Sequence, residues 1–281
     1  MPFSYASASP TERTLLTGHS EQHGCHRLKN CRQAVLWISV LWIFFVYFSA
    51  VLPLFPTKTT VGLGTVTSLM SLLFLTTFFV TKLTDPVDPV SRIGSSMPNG
   101  EPVESSALLK VAIKYDEDLR YCAKCGTYVC GSSYHCPICQ KCVLLFDHHC
   151  IWLNNCIGSR NYACFILSSS SAFILSATVF TSTLVIMSER IHSILLVGWW
   201  KFMCRYATER NSLPTFEILF IRCRPDVWLA LVCATEILVF VIMILLLCLI
   251  VFHFYLMCHN TTTLEYIRQT RNYPVRALWD T

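Results

Sequence analysis

Charged residues are scarce in this sequence. Asp, Glu, Lys and Arg make up 14% of its 281 residues, where a soluble chain carries about a quarter. That scarcity excludes a disordered chain and a protein that wraps nucleic acid by its charge. The formal net charge of +5 is too small to name a partner. A cleavable leader is not expected either, because 33 largely polar residues precede the first apolar run, which is too long for a signal peptide. The apolar runs lack repeated ionisable residues and half-helix breaks, which leaves a channel or transporter with little support. No internal repeat is evident.

What the sequence has is apolar length. Its mean hydropathy is +0.49, and four stretches are free of Asp, Glu, Lys and Arg: Ala34–Leu52, Val61–Val80, Ala163–Met187 and Ile237–Met257. About 20 apolar residues at about 1.5 Å each cross the hydrocarbon core. None of the four carries the polar stripe of a soluble core helix, so all four are read as spans. Both termini then share one side with segment 81–162. That side holds 15 Lys and Arg against 7 on the other, which predicts that it is cytosolic. Residues 1–33 become a cytosolic tail, 34–80 the first two spans, 163–257 the last two around a lumenal loop at 188–226, and 258–281 a cytosolic end. Glu236 is expected at the membrane interface, with the fourth helix starting after it. Segment 84–121, rich in Asp-Pro, Gly and Ser, reads as a linker.

The second abundance is cysteine. Sixteen are present, nine of them between Cys122 and Cys164. The chain is too long and too apolar for a small disulfide-framed domain. Cys122/Cys125 and Cys136/Cys139 have the C-x-x-C spacing that lets two thiolates reach one zinc at about 2.3 Å. With Cys142, Cys156, His135, His148 and His149 nearby, there are donors for two tetrahedral sites. Spacing does not say which histidine completes which site. It does leave Asp147, one of the adjacent histidines and one cysteine over. A thiol, an imidazole to take its proton and a carboxylate to orient that imidazole make an activated nucleophile.

Asp147-His148-His149-Cys150 within this cysteine frame resembles the DHHC family of protein S-acyltransferases. Asn154-Asn155-Cys156-Ile157-Gly158, Asn161 with Phe165, and Thr262-Thr263-Leu264-Glu265 match the family's further motifs, and Asp85-Pro86 sits where the family carries Asp-Pro-Gly. The resemblance implies an α-helical integral membrane protein, with four transmembrane helices and a cytosolic cysteine-rich zinc domain between the second and third. It implies two structural Zn2+ sites, one of Cys122, Cys125, His135 and Cys142, the other of Cys136, Cys139, His149 and Cys156. Cys150 would be the nucleophile, His148 its base and Asp147 the orienting partner, with Thr263 in a supporting contact. The donor would be palmitoyl-CoA. The partners would be the lipid bilayer and membrane-associated proteins with cytosolic cysteines, without nucleic acid. A Golgi or endoplasmic reticulum membrane is the implied location.

The sequence departs from the family in places. Val129-Cys130-Gly131-Ser132 replaces a basic stretch that contacts coenzyme A phosphates, for which Lys124, Lys141 or Arg160 are substitutes. Val87 replaces Gly, Ile151 replaces Pro after the nucleophile, and Asn272-Tyr273 only weakly matches a C-terminal motif. The altered basic stretch and Ile151 motivate a rival reading, a non-catalytic zinc scaffold of the same fold. By resemblance, Leu175 lies near the position that caps the acyl cavity. Cys204 and Cys223, in the lumenal loop, could pair as a disulfide.

Overall fold

The computed structural model describes residues 31–95, 113, 118–203, 216–218, 221–223 and 225–270. They divide into two compact units. One is built on Asp85–Cys150 and Asn154–Arg160, the other on Asn30–Thr84, Ile151–Leu153 and Asn161–Thr281.

The second unit is helical. Helices α1 (Cys31–Val46) and α2 (Thr57–Leu83) precede the cysteine-rich region; α4 (Tyr162–Met203) and α5 (Pro225–Cys258) follow it. Four spans, Arg32–Leu54, Thr57–Leu83, Tyr162–Glu189 and Val227–Cys258, are long and apolar enough to cross a membrane. The protein is an α-helical membrane protein with its cysteine-rich region between the second and third spans. The first span loosens into a π turn at Tyr47–Val51 and a 3-10 turn at Leu52–Leu54 before Pro56. Trp228 Nε1 donates to the Ala50 carbonyl at 2.9 Å within the loosened turn. Around this turn Val46, Tyr47, Val51, Val179, Ile186, Trp228, Val232 and Val239 form a buried core of the first, third and fourth spans.

Hydroxyl residues are frequent on the buried faces. Thr67, Ser71, Thr77 and Thr81 on α2, and Ser168, Ser169, Ser171 and Ser182 on α4, are all buried. Small residues let helices approach closely in lipid. Their hydroxyls are satisfied locally, as in the 2.7 Å bond from Thr81 Oγ1 to the Thr77 carbonyl.

Two expectations change. Helix α5 begins at Pro225, well before Glu236, and Glu236 is buried beside Tyr47, Thr183 and Thr235. Facing a bundle with polar neighbours, the carboxyl group need not mark the end of a helix. The region expected as a loop at 188–226 carries the continuation of α4 to Met203 and a hairpin of β7 (Phe216–Ile218) and β8 (Ile221–Cys223). The disulfide expected there falls on Cys204, which lies outside the described residues.

The first unit is a run of three two-stranded antiparallel hairpins: β1 (Leu119–Cys122) with β2 (Thr127–Cys130), β3 (Tyr134–Cys136) with β4 (Lys141–Val143), and β5 (His148–Cys150) with β6 (Asn155–Ile157). A repeat emerges that is not evident in the bare sequence. Each outgoing strand ends on a cysteine, and Cys122, Cys136 and Cys150 pair with Thr127, Lys141 and Asn155. The turns agree as well: Gly126, Gln140 and Asn154 all take left-handed φ, at 65°, 52° and 51°. The hairpins therefore recur every 14 residues.

Part of the expected linker belongs to this unit. Asp88 caps the short helix α3 (Pro89–Ser95), its Oδ1 accepting from Ser91 N at 2.8 Å. Its Oδ2 accepts from Cys130 N at 3.1 Å and from the Ser133 hydroxyl. Val90 packs with Cys130 and Leu144. Segment 85–95 is thus stitched to the first two hairpins.

Candidate active site and metal centres

The hairpins bring the cysteines and histidines together. In the first cluster the His135 Nδ1 lies 3.1 Å from Cys125 Sγ, 4.0 Å from Cys122 Sγ and 3.9 Å from Cys142 Sγ. In the second the His149 Nδ1 lies 3.3 Å from Cys139 Sγ, 3.9 Å from Cys136 Sγ and 3.7 Å from Cys156 Sγ. A tetrahedral zinc with bonds of about 2.3 Å to sulfur and 2.0–2.1 Å to nitrogen has N···S edges of about 3.6 Å and S···S edges of about 3.8 Å. The observed distances straddle those edges, and Cys125 Sγ to Cys142 Sγ is 3.6 Å.

The electrostatics also suit a cation. Hydrogen bonds from Cys142 and His135 draw Cys125 down to about 5, and those from Cys139 and Cys156 draw Cys136 down to about 2. The resulting negative sulfurs push Cys142 and Cys156 up. A divalent ion at either centre would let all three thiols ionise together. The two ligand sets are those the resemblance implied, each suited to hold a metal ion.

Successive residues of a strand face opposite ways. On β5, His149 lies opposite Cys156 and joins the second metal cluster. His148 and Cys150 therefore share the other face. The His148 Nδ1 donates to Asp147 Oδ2 at 2.7 Å. Asp147 is almost wholly buried, 2% exposed, and its backbone N–H is held by the Ile157 carbonyl at 2.9 Å. Burial opposes charge on His148, but the bond to Asp147 and the neighbouring Cys150 outweigh it and raise its pKa to about 9. Cys150 is buried, 7% exposed.

Against this geometry the comparisons are specific. Residues 115–270 match the family model described as DHHC palmitoyltransferase, more than half of the chain. The chain belongs to the DHHC palmitoyltransferase family. It is 29% identical over 197 residues to "Probable protein S-acyltransferase 12" of Arabidopsis thaliana, covering 69% of this chain and 57% of that protein. It is 29% identical over 150 residues to "Palmitoyltransferase ERF2" of Kluyveromyces lactis, covering 53% of this chain and 33% of that protein. The chain thus spans between a third and just over half of these relatives' length.

Thr263 is the first residue of helix α6 (Thr263–Thr270), in the helical unit. The cap of that helix is Thr262: its Oγ1 accepts from Glu265 N at 3.3 Å, while its own N–H donates to Glu265 Oε2 at 3.0 Å. Leu175 is half-buried on α4. Lys141 and Arg160, two of the proposed substitutes for the basic stretch, both reach Asp85. Lys141 Nζ lies 2.6 Å from Asp85 Oδ1, and Arg160 Nη1 donates to the Asp85 carbonyl at 3.0 Å. Arg92 adds a third cation at 3.0 Å from Asp85 Oδ2. Lys124 is exposed on the first hairpin turn.

Sequence reasoning missed the roles of Asp88 and Gly158. An Asp followed by Pro is a readable helix start, but nothing local announces Asp88's bonds to Cys130 and Ser133. Gly158 sits so close to β4 that a Cβ would lie 2.5 Å from Val143 Cγ1 and 2.8 Å from the Leu144 carbonyl.

Proposed function

We propose that the protein is a protein-cysteine S-acyltransferase, moving a fatty acyl group from palmitoyl-CoA to cysteines of membrane-associated proteins. The observation that carries this reading is the Asp147–His148 bond, with His148 on the same strand face as Cys150. His148 takes the Cys150 proton, and Asp147 fixes the ring and steadies its charge. The sulfur adds to the thioester carbonyl. The coenzyme A thiolate leaves with the proton from His148, giving an acyl-Cys150 enzyme. A substrate cysteine then yields its proton to His148, and its sulfur displaces Cys150. Kinetics are ping-pong.

Zinc is the proposed metal at both centres, in keeping with their Cys3His donor sets. Both are structural and hold β5 in place. Lys141, Arg92 and Arg160 gather around Asp85, basic side chains that would favour the donor's phosphates. The greater share of Lys and Arg on one side of the spans supports a cytosolic active site; a Golgi or endoplasmic reticulum membrane is proposed from the family resemblance alone.

The test is labelling of the purified full chain with palmitoyl-CoA, wild type beside Cys150→Ser. The reading requires a hydroxylamine-sensitive acyl group on Cys150, lost in the serine variant while metal content stays the same. Unlabelled wild-type protein with both centres filled would favour the scaffold reading.

A further inference from the structure

The fourth span ends at Cys258, and the chain then turns back through Asn260, whose φ is 48°. Helix α6 brings Tyr266 against Phe252 and Tyr255, with ring centroids 5.6 and 5.8 Å apart. His259 lies over Tyr255 at 4.1 Å, and its Nδ1 donates to the Tyr255 carbonyl at 2.9 Å. Between α5 and α6 the rings of Tyr255, His259 and Tyr266 wall an open cleft of ≈ 650 Å³, completed by Asn260, Glu265 and Gln269. Small-molecule sites occupy roughly 300–1,000 Å³.

The charge preference of this cleft follows from its walls. Aromatic faces attract cations within about 6 Å of the ring centroid. Glu265 brings a carboxylate, and among the described residues no Lys or Arg lines the cleft. The carboxyl end of a long helix adds partial negative charge. An anion would be repelled. The kind of cation follows from position, because the cleft opens where a membrane span ends, in the layer of lipid headgroups. The abundant cation of that layer is the ammonium of a zwitterionic phospholipid.

We propose that this cleft seats the ammonium headgroup of a zwitterionic phospholipid, with Tyr255, His259 and Tyr266 around the cation and Glu265 as its counter-charge. A lipid held there would fasten α6, and with it Thr263, to the membrane surface. Neither acyl-CoA nor a protein substrate is involved, so the proposal stands apart from the transfer reaction.

The test reconstitutes the full chain in nanodiscs of equal phosphatidylcholine and phosphatidylglycerol, then counts retained lipids by native mass spectrometry. The expected result is retention of phosphatidylcholine over phosphatidylglycerol, falling about fivefold in Glu265→Gln and in Tyr255→Leu. Gln keeps the acceptor of the α6 cap while removing the charge, so Glu265→Gln decides the matter alone if Tyr255→Leu does not fold. Equal retention of the two lipids by the wild type, or an unchanged preference in Glu265→Gln, would overturn the proposal. Displacement of the lipid by free phosphocholine at matched headgroup concentration would also overturn it, since the cleft would then serve a soluble ammonium compound.

Discussion

His148 reaches Asp147 at 2.7 Å through Nδ1, while His149, one residue on, turns its Nδ1 to three sulfurs of a metal cluster. Two identical side chains with adjacent backbones thus have different surroundings, because a strand alternates its faces.

The two histidines should therefore fail differently. His149→Ala removes a metal ligand, and metal analysis should show one centre lost with poor folding. His148→Ala should keep both metals while acyl transfer drops by roughly two to four decades. Equal metal loss in both variants would refute the division of roles.

Asp147→Asn should change how stability depends on pH. With His148 raised from 6.5 to about 9 in the folded protein, its ion pair with Asp147 contributes fully below pH 6.5 and is lost as pH rises through about 9. The thermal midpoint of the wild type should exceed that of Asp147→Asn at pH 6.5, and the gap should close across the window up to about 9. A gap that widens with rising pH would contradict the assignment.

Gly158→Ala should destabilise the cysteine-rich unit. The added carbon would meet Val143 Cγ1 at 2.5 Å and the Leu144 carbonyl at 2.8 Å. Overpacking of this kind costs about 1–3 kcal/mol. Faster metal release to a chelator would report it. Adding Val143→Ala should restore only part of the loss, because the backbone oxygen remains.

Chain-length profiling tests the proposed role of Leu175. If it caps the acyl cavity, Leu175→Ala should shift autoacylation from 16-carbon towards 18-carbon donors, and Leu175→Phe towards shorter ones. Each extra buried CH2 is worth about 0.8 kcal/mol. Identical profiles in wild type and both variants would remove Leu175 from the cavity without touching Cys150.

The spans were legible because uncharged length leaves few physical solutions, and C-x-x-C spacing pointed to two metal sites, but the division of the histidines between them came only from the family resemblance. The 14-residue recurrence is masked because the third hairpin lacks the C-x-x-C pair: Leu153 stands where Cys125 and Cys139 stand in the others, although His149 and Cys156 repeat His135 and Cys142 of the second. Segment 85–95 resembled a linker because its Asp-Pro steps are turn signals. What holds it in place is Asp88, buried against residues more than 40 positions away. That Thr262 is the cap depends on which of three successive threonines begins the helix. Glu236 misled for the opposite reason: a charge in a span marks its end only when it faces lipid.

The interleaving of the two centres sets an order of events during synthesis. The first set of ligands is complete once Cys142 has emerged, and the second waits for Cys156. At about 5–20 residues per second, that interval lasts roughly one to three seconds. Cys150 emerges within it, when the second hairpin could already fold around a metal ion. Its thiol would then emerge onto a partly assembled template, and only six residues of further synthesis separate it from Cys156, the ligand position that closes its own hairpin.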